Sequence, residues 1–206
     1  MMSFLKSIWK KKIKIGSFFG ATPNELKKFR RGLGESAIQE KSIAIKHYPF
    51  DPSQVYPDKV IPADEINEVY LDTYPPTLKL GVELIFISRE SVGLLKEFAE
   101  RNNIPIGKRK ANWDWISEPY LDTEFDHEQQ ERSIALLVSN GISKHETERL
   151  RAEIARQMYK YNFDTMLWEW VNLGLYDVLM AMSAKYTSKE FERFYWKAME
   201  VEQRTQ

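Results

Sequence analysis

The 206-residue chain contains no cysteine. Disulfides, thiolate nucleophiles and cysteine–zinc sites are therefore excluded, and the chain suits a reducing compartment. Histidine is scarce: His47, His127 and His145 fall in separate segments. No run approaches the roughly 18–20 uncharged apolar residues of a membrane span. Lys6 and Lys10 interrupt the apolar part of the N-terminal segment, so it does not read as a secretory leader, and a cytoplasmic location is expected. Neither G-x-x-x-x-G-K-S/T, G-x-G-x-x-G nor G-x-S-x-G occurs, so phosphate loops and the hydrolase nucleophile elbow lack support. Gly16-Ser17-Phe18-Phe19-Gly20 does not substitute for them, because large aromatics stand where phosphate should approach the backbone. Net charge is also missing. Thirty basic residues balance thirty acidic ones, whereas a dedicated nucleic-acid binder is usually basic overall, so no DNA partner is expected.

What is present is an ordinary globular composition, 43% hydrophobic and 29% charged, with 13% aromatics to build a core. The length suits one large domain or two small ones. The neutral total hides an asymmetry. Residues 1–33 carry nine basic side chains against Glu25 alone, a net of plus eight, which leaves the remainder at minus eight. Such asymmetry is a signal about partners rather than fold.

Three zones are expected. Residues 1–40 form a basic arm, with Phe4, Leu5, Ile8 and Trp9 at helical spacing and a short helix from Pro23 to Arg31. Residues 41–107 form a small antiparallel sheet closed by a helix. Ser42–Tyr48 and Ile66–Asp72 are strand candidates, and Thr77–Ile87 is the best one, with Leu78, Leu80, Val82, Leu84 and Phe86 on one face. Gly81 there marks a bulge or bend. Ser88 is expected to cap a helix with Val92, Leu95, Phe98 and Ala99 inward and Asn102-Asn103 at its end. Residues 108–206 form a helical region packed on the sheet. Lys108–Thr123 reads as an aromatic loop, and helices are predicted over 128–139, 144–161, 165–184 and 188–202. Asp126/Gln129, Ser143/Glu146 and Thr187/Glu190 are helix-start signals. Residues Met166–Met182 are apolar nearly all round, so this rod is expected to be the buried hub. The fold class is therefore α+β, a sheet with its closing helix followed by a helical bundle.

The order of elements over 41–103 resembles the later half of bacterial pleckstrin-homology-like domains. The residues that carry it are Ile61-Pro62-Ala63-Asp64-Glu65-Ile66, the strand Leu78–Ile87 and the helix from Ser88. The resemblance implies a curved antiparallel sheet with one closing helix, used mostly as a protein- or lipid-binding scaffold.

Candidate sites follow from local chemistry. Glu124, Asp126 and His127 offer hard oxygen ligands and an imidazole for a divalent metal; the competing reading is an acidic helix N-terminus. Glu169, Asn172 and Tyr176 fall on one stripe of the apolar rod, lining either a polar pocket or the rod's one wet edge. Trp113, Trp115 and Tyr120 are candidate interface anchors, and Trp113→Ala is then expected to leave folding intact while weakening partner recovery. Lys10, Lys11 and Lys12, with the apolar residues between, suit an anionic membrane surface, RNA, or the acidic remainder of the chain itself. No cofactor is indicated. The leading expectation is a non-catalytic binding or adaptor protein with a protein partner or self-association. The alternatives are a peripheral membrane or RNA binder working through the arm, and a metal-dependent enzyme using the acidic 122–128 segment.

Overall fold

The computed structural model describes residues 19–121, 126–165 and 172–205. The fold is α+β, with two small open sheets and, among the described residues, seven α-helices. No described helix is long and apolar enough to cross a membrane.

Helix α1 (Pro23–Phe29) begins with a full capping box: the Thr22 hydroxyl accepts from the Glu25 amide, and the Glu25 carboxylate accepts from the Thr22 amide at 2.7 Å. Strands β1 (Glu35–Ile38), β2 (Ser42–Lys46) and β3 (Lys59–Pro62) form the first sheet in that order, antiparallel throughout. Ile43, Ile45 and Ile61 point inward and are buried, as alternation in the 42–48 segment predicts. Glu35–Ile38, expected within the N-terminal zone, instead pairs with β2 as an edge strand. Strand β3 lies in the proline-rich stretch, with Pro62 as its last residue.

Strands β4 (Glu68–Tyr70), β5 (Thr77–Leu80), β6 (Glu83–Phe86) and β7 (Ile106–Gly107) form the second sheet in the order β6-β5-β4-β7, with only β4 and β7 parallel. The single strand expected over Thr77–Ile87 is a hairpin. Leu80 pairs with Glu83 across Gly81-Val82, Gly81 has φ +59°, and Val82 is 74% exposed at the tip. Glycine suits such a two-residue turn because it has no Cβ to strain. The turn also changes which residues share a face. Leu78 now sits beside Ile85, and Leu84 beside Lys79. All of β6 is buried, so apolar residues on both of its faces conceal the reversal.

Helix α2 (Val92–Arg101) buries Leu95, Phe98 and Ala99 and packs on β1. The Ser88 hydroxyl donates to the Glu90 carboxylate instead of capping this helix, and a 3-10 turn at Arg89–Ser91 intervenes. The helical region comprises α3 (Asn112–Ser117), α4 (His127–Ser139), α5 (Lys144–Asp164), α6 (Leu175–Lys185) and α7 (Ser188–Gln203). The start signals of α4, α5 and α7 work as predicted, although the Glu146 side chain binds Arg204 rather than completing its box.

Two expectations fail here. The aromatic segment 108–123 is not an open loop. It contains α3, which packs against α4, α5, α6 and α7, with Trp113 and Ile116 fully buried. The rod Met166–Met182 is not one helix. Helix α5 continues to Asp164, carrying the buried Asn162, whose side-chain amide donates to the Tyr120 carbonyl. Residues 166–171 lie outside the described residues, Asn172–Gly174 is not helical, and α6 starts at Leu175, with the Gly174 amide donating to Asp177. Leu175 and Val178–Met182 are buried as expected, but α3 is the element that meets every other described helix of the region.

Residues 19–31 are fastened to α5 and α6. The Phe19 and Ala21 amides donate to the Asp164 carboxylate, Lys28 donates to the Ser183 carbonyl, and the Phe29 ring meets Tyr161 edge-on. Glu25 accepts from Lys160 at 2.8 Å and from Gln157 at 3.1 Å. Burial alone would raise the Glu25 pKa, but these bonds and those from Thr22 outweigh it and hold the carboxyl at about 2. A depressed carboxylate stabilises the fold above its unfolded pKa and loses that contribution as pH falls through the folded value. Glu25→Ala is expected to cost about 1.5–3 kcal/mol, read as a lower urea midpoint and faster proteolytic cleavage near residue 20. An unchanged midpoint would place α1 free of α5.

Candidate functional site

A cleft of about 410 Å³ opens where α1, the second sheet and α6 meet. One side is the C-terminal end of α1 with Arg30, Arg31, Leu33 and Gly34. Another is the Tyr74-Pro75 turn between β4 and β5, beside Ser88–Glu90. The third is Tyr161 of α5 with Leu173, Tyr176 and Asp177. Local sequence explains the walls. Gly34 has φ +88°, and a Cβ there would collide with the carbonyl oxygens of Lys46 and His47, so only glycine brings this segment so close to β2. The Tyr176 ring is held edge-on against Phe86 and Phe50, at 5.3 and 6.0 Å between centroids.

The electrostatics are divided. Arg30 and Arg31 are exposed at the mouth. Arg31 donates to the Pro49 carbonyl, and Arg89 lies 4.2 Å above the Tyr74 ring centre while donating to its hydroxyl. Among the described residues none of these three guanidiniums forms an ion pair with a carboxylate. Asp177 stands inside. It accepts from the Tyr161 hydroxyl at 3.0 Å and the Gly174 amide at 2.9 Å. Burial raises its pKa to about 6 against those two bonds, and the charge of Asp114 adds to the rise. Burial also pushes the Tyr161 and Tyr176 hydroxyls upward, so both stay protonated donors at neutral pH.

Two further polar clusters hold the fold. In one, the Tyr195 hydroxyl donates to buried Glu83 at 2.5 Å, the Gln54 amide donates to the other oxygen, and the Tyr48 hydroxyl accepts from the Phe86 amide. This joins α7 to β6. In the other, Arg109 pairs with the wholly buried Glu202 at 2.9 Å, and the Trp113 amide donates to the same carboxylate. The Asn112 amide group gives its hydrogens to the carbonyls of Val201, Glu202 and Arg204, while its oxygen accepts from Asn140. Asp114 accepts from Asn172, and a Cβ at Gly174 would lie 2.7 Å from Asp114 Oδ1.

The sequence-derived candidates are dispersed. Asp126 caps its own helix, and His127 is exposed, 3.7 Å from Glu131. Glu124 lies outside the described residues, and among those described no group of three potential ligands could hold a metal ion. Trp113 and Tyr120 are core residues bonded to the carbonyls of Ala198 and Arg151, so neither ring is an exposed anchor. Trp115 is half-buried beneath Arg132. The polar stripe is not a stripe: Glu169 is outside the described residues, Asn172 precedes α6 and faces Asp114, and Tyr176 alone reaches the cleft. Lys10, Lys11 and Lys12 also lie outside the described residues. The cleft residues Tyr74, Arg89, Tyr161 and Asp177 carry no local signal, since separate stretches of chain supply the lining. The chain matches no family model, no curated protein and no solved structure.

Proposed function

We propose that the protein is a non-catalytic binding protein whose ligand seat is the 410 Å³ cleft. The carrying observation is convergence: three guanidiniums that form no ion pair with a described carboxylate, four aromatic rings and one inner carboxylate meet in a concavity of ligand-pocket size. The Ser88 hydroxyl at its edge favours binding over chemistry. It is bonded to Glu90, and that bond holds the Glu90 carboxyl below its ordinary value, making it a poor base. A pleckstrin-homology-like origin for residues 41–103 and a cytoplasmic location fit this reading.

Binding to the folded state alone raises stability by about 2.7 kcal/mol at a ligand concentration 100 times Kd. For a chain of this size that is roughly 5–10 °C in Tm. A thermal-shift panel of organic anions, amines and neutral aromatics is expected to contain a stabilising compound whose effect disappears in Arg89→Ala. A panel in which every shift is unaltered by that change removes the cleft as the seat.

A further inference from the structure

We propose that the cleft takes a guanine mononucleotide, with its phosphate against Arg30, Arg31 and Arg89 and its base edge toward Asp177. This rests on the cleft being the ligand seat and adds the class of ligand.

At the mouth, the exposed Arg30 and Arg31 and the Tyr74-stacked Arg89 offer planar, permanently charged donors, and none is ion-paired with a described carboxylate. Guanidinium forks match phosphate oxygens in pairs. Further in, the lining is aromatic and apolar, which suits a flat heterocycle rather than a sugar or an aliphatic acid. At the inner end, each Asp177 oxygen already accepts one bond, from Tyr161 or from Gly174. Each keeps a further lone pair. The Asp177 carboxylate is thus an acceptor-only pair suited to two adjacent donors. Guanine presents such a pair, its ring N–H beside its exocyclic amine. Adenine offers one donor beside a ring lone pair, which would face the carboxylate unbonded. Side chains, not a glycine loop, provide the phosphate contacts, consistent with the absence of a phosphate-loop motif.

The test is calorimetric titration of the full chain with GMP, AMP, guanosine and inorganic phosphate. GMP is expected to bind at least about tenfold tighter than AMP or guanosine, the size of one charge-assisted hydrogen bond. Arg30→Ala and Arg89→Ala each weaken GMP by roughly tenfold, and Asp177→Asn, whose amide offers one acceptor beside one donor, abolishes the preference for GMP or reverses it toward AMP. Arg30 is exposed, so its variant keeps the test decisive even where Asp177→Asn unfolds. Equal affinity for GMP and AMP in the unaltered protein overturns the base assignment. GMP binding that ignores both arginine changes overturns the phosphate assignment. Failure of all four probes, alongside a panel anion whose shift needs Arg89, overturns the nucleotide and leaves the cleft standing; failure of both experiments overturns the two together.

Discussion

Trp113→Ala is expected to destabilise the protein by about 3–5 kcal/mol, the range for deleting a large buried aromatic side chain. That is a large fraction of the roughly 5–15 kcal/mol that separates folded from unfolded states in a typical domain. Trp113 is fully buried in the first turn of α3, its ring 6.1 Å from that of Phe194 and its indole N–H bonded to the Ala198 carbonyl at 2.9 Å. Because α3 touches α4, α5, α6 and α7, the cavity would open where four helices share one wall, with little freedom to collapse. Trp113→Phe retains most of the packing and gives up the indole bond, so its added cost over lost area is about 1 kcal/mol. Urea unfolding provides the check, with the midpoint falling and the slope unchanged. A loss below about 1 kcal/mol for the alanine variant would mean that this ring is a surface anchor, as the sequence alone suggests.

Arg109→Met is expected to cost about 3–5 kcal/mol at pH 8, because it leaves the Glu202 carboxylate buried without its cation. The cost should shrink toward pH 5. Burial already raises the Glu202 pKa to about 7 despite Arg109 and the Trp113 amide, and Asp114 adds to the rise. A carboxyl with a raised folded pKa contributes stability that is present below its unfolded value and lost as pH climbs through the folded one. For Glu202 the window runs from 4.5 to about 7, and the displacement corresponds to about 3 kcal/mol in the unaltered protein. Asp177, raised from 3.8 to about 6, acts in the same direction. Glu25 acts in the opposite direction, below 4.5. Arg109→Met combined with Glu202→Leu should recover most of the loss and flatten the upper part of the profile. A double variant as unstable as the single one would refute the pairing.

The chemistry of most helix starts is legible in the sequence because it is local, Ser88 being the exception. Thr22-Pro23, Asp126/Gln129, Ser143/Glu146 and Thr187/Glu190 mark true starts, since a cap is satisfied by atoms three residues away. The inner stripe of α2 is legible for the same reason. What escapes depends on partners distant in sequence. The Gly81 turn is invisible when the strand after it is apolar on both faces. Trp113 and Trp115 read as an exposed cluster because their helix has six residues, too few to display a period. Gly174 is the N-terminal cap of α6 inside the expected rod, yet the 170–180 stretch reads as hydrophobic on both sides of it. The cleft is the least legible feature. Arg31 and Tyr176 meet there across 145 positions, and no spacing rule reaches that far.

The side chain of Asn112 gathers the last carbonyls of α7 about 90 positions downstream. A nascent chain therefore reaches α3 long before the groups that α3 must satisfy have been synthesised. Until residues 198–204 clear the ribosomal exit tunnel, Trp113 lacks the Ala198 carbonyl and Arg109 lacks Glu202. The sheets can form before α7 is synthesised, whereas the helical half closes only once α7 has emerged, so its unfinished hub is the surface a chaperone would meet.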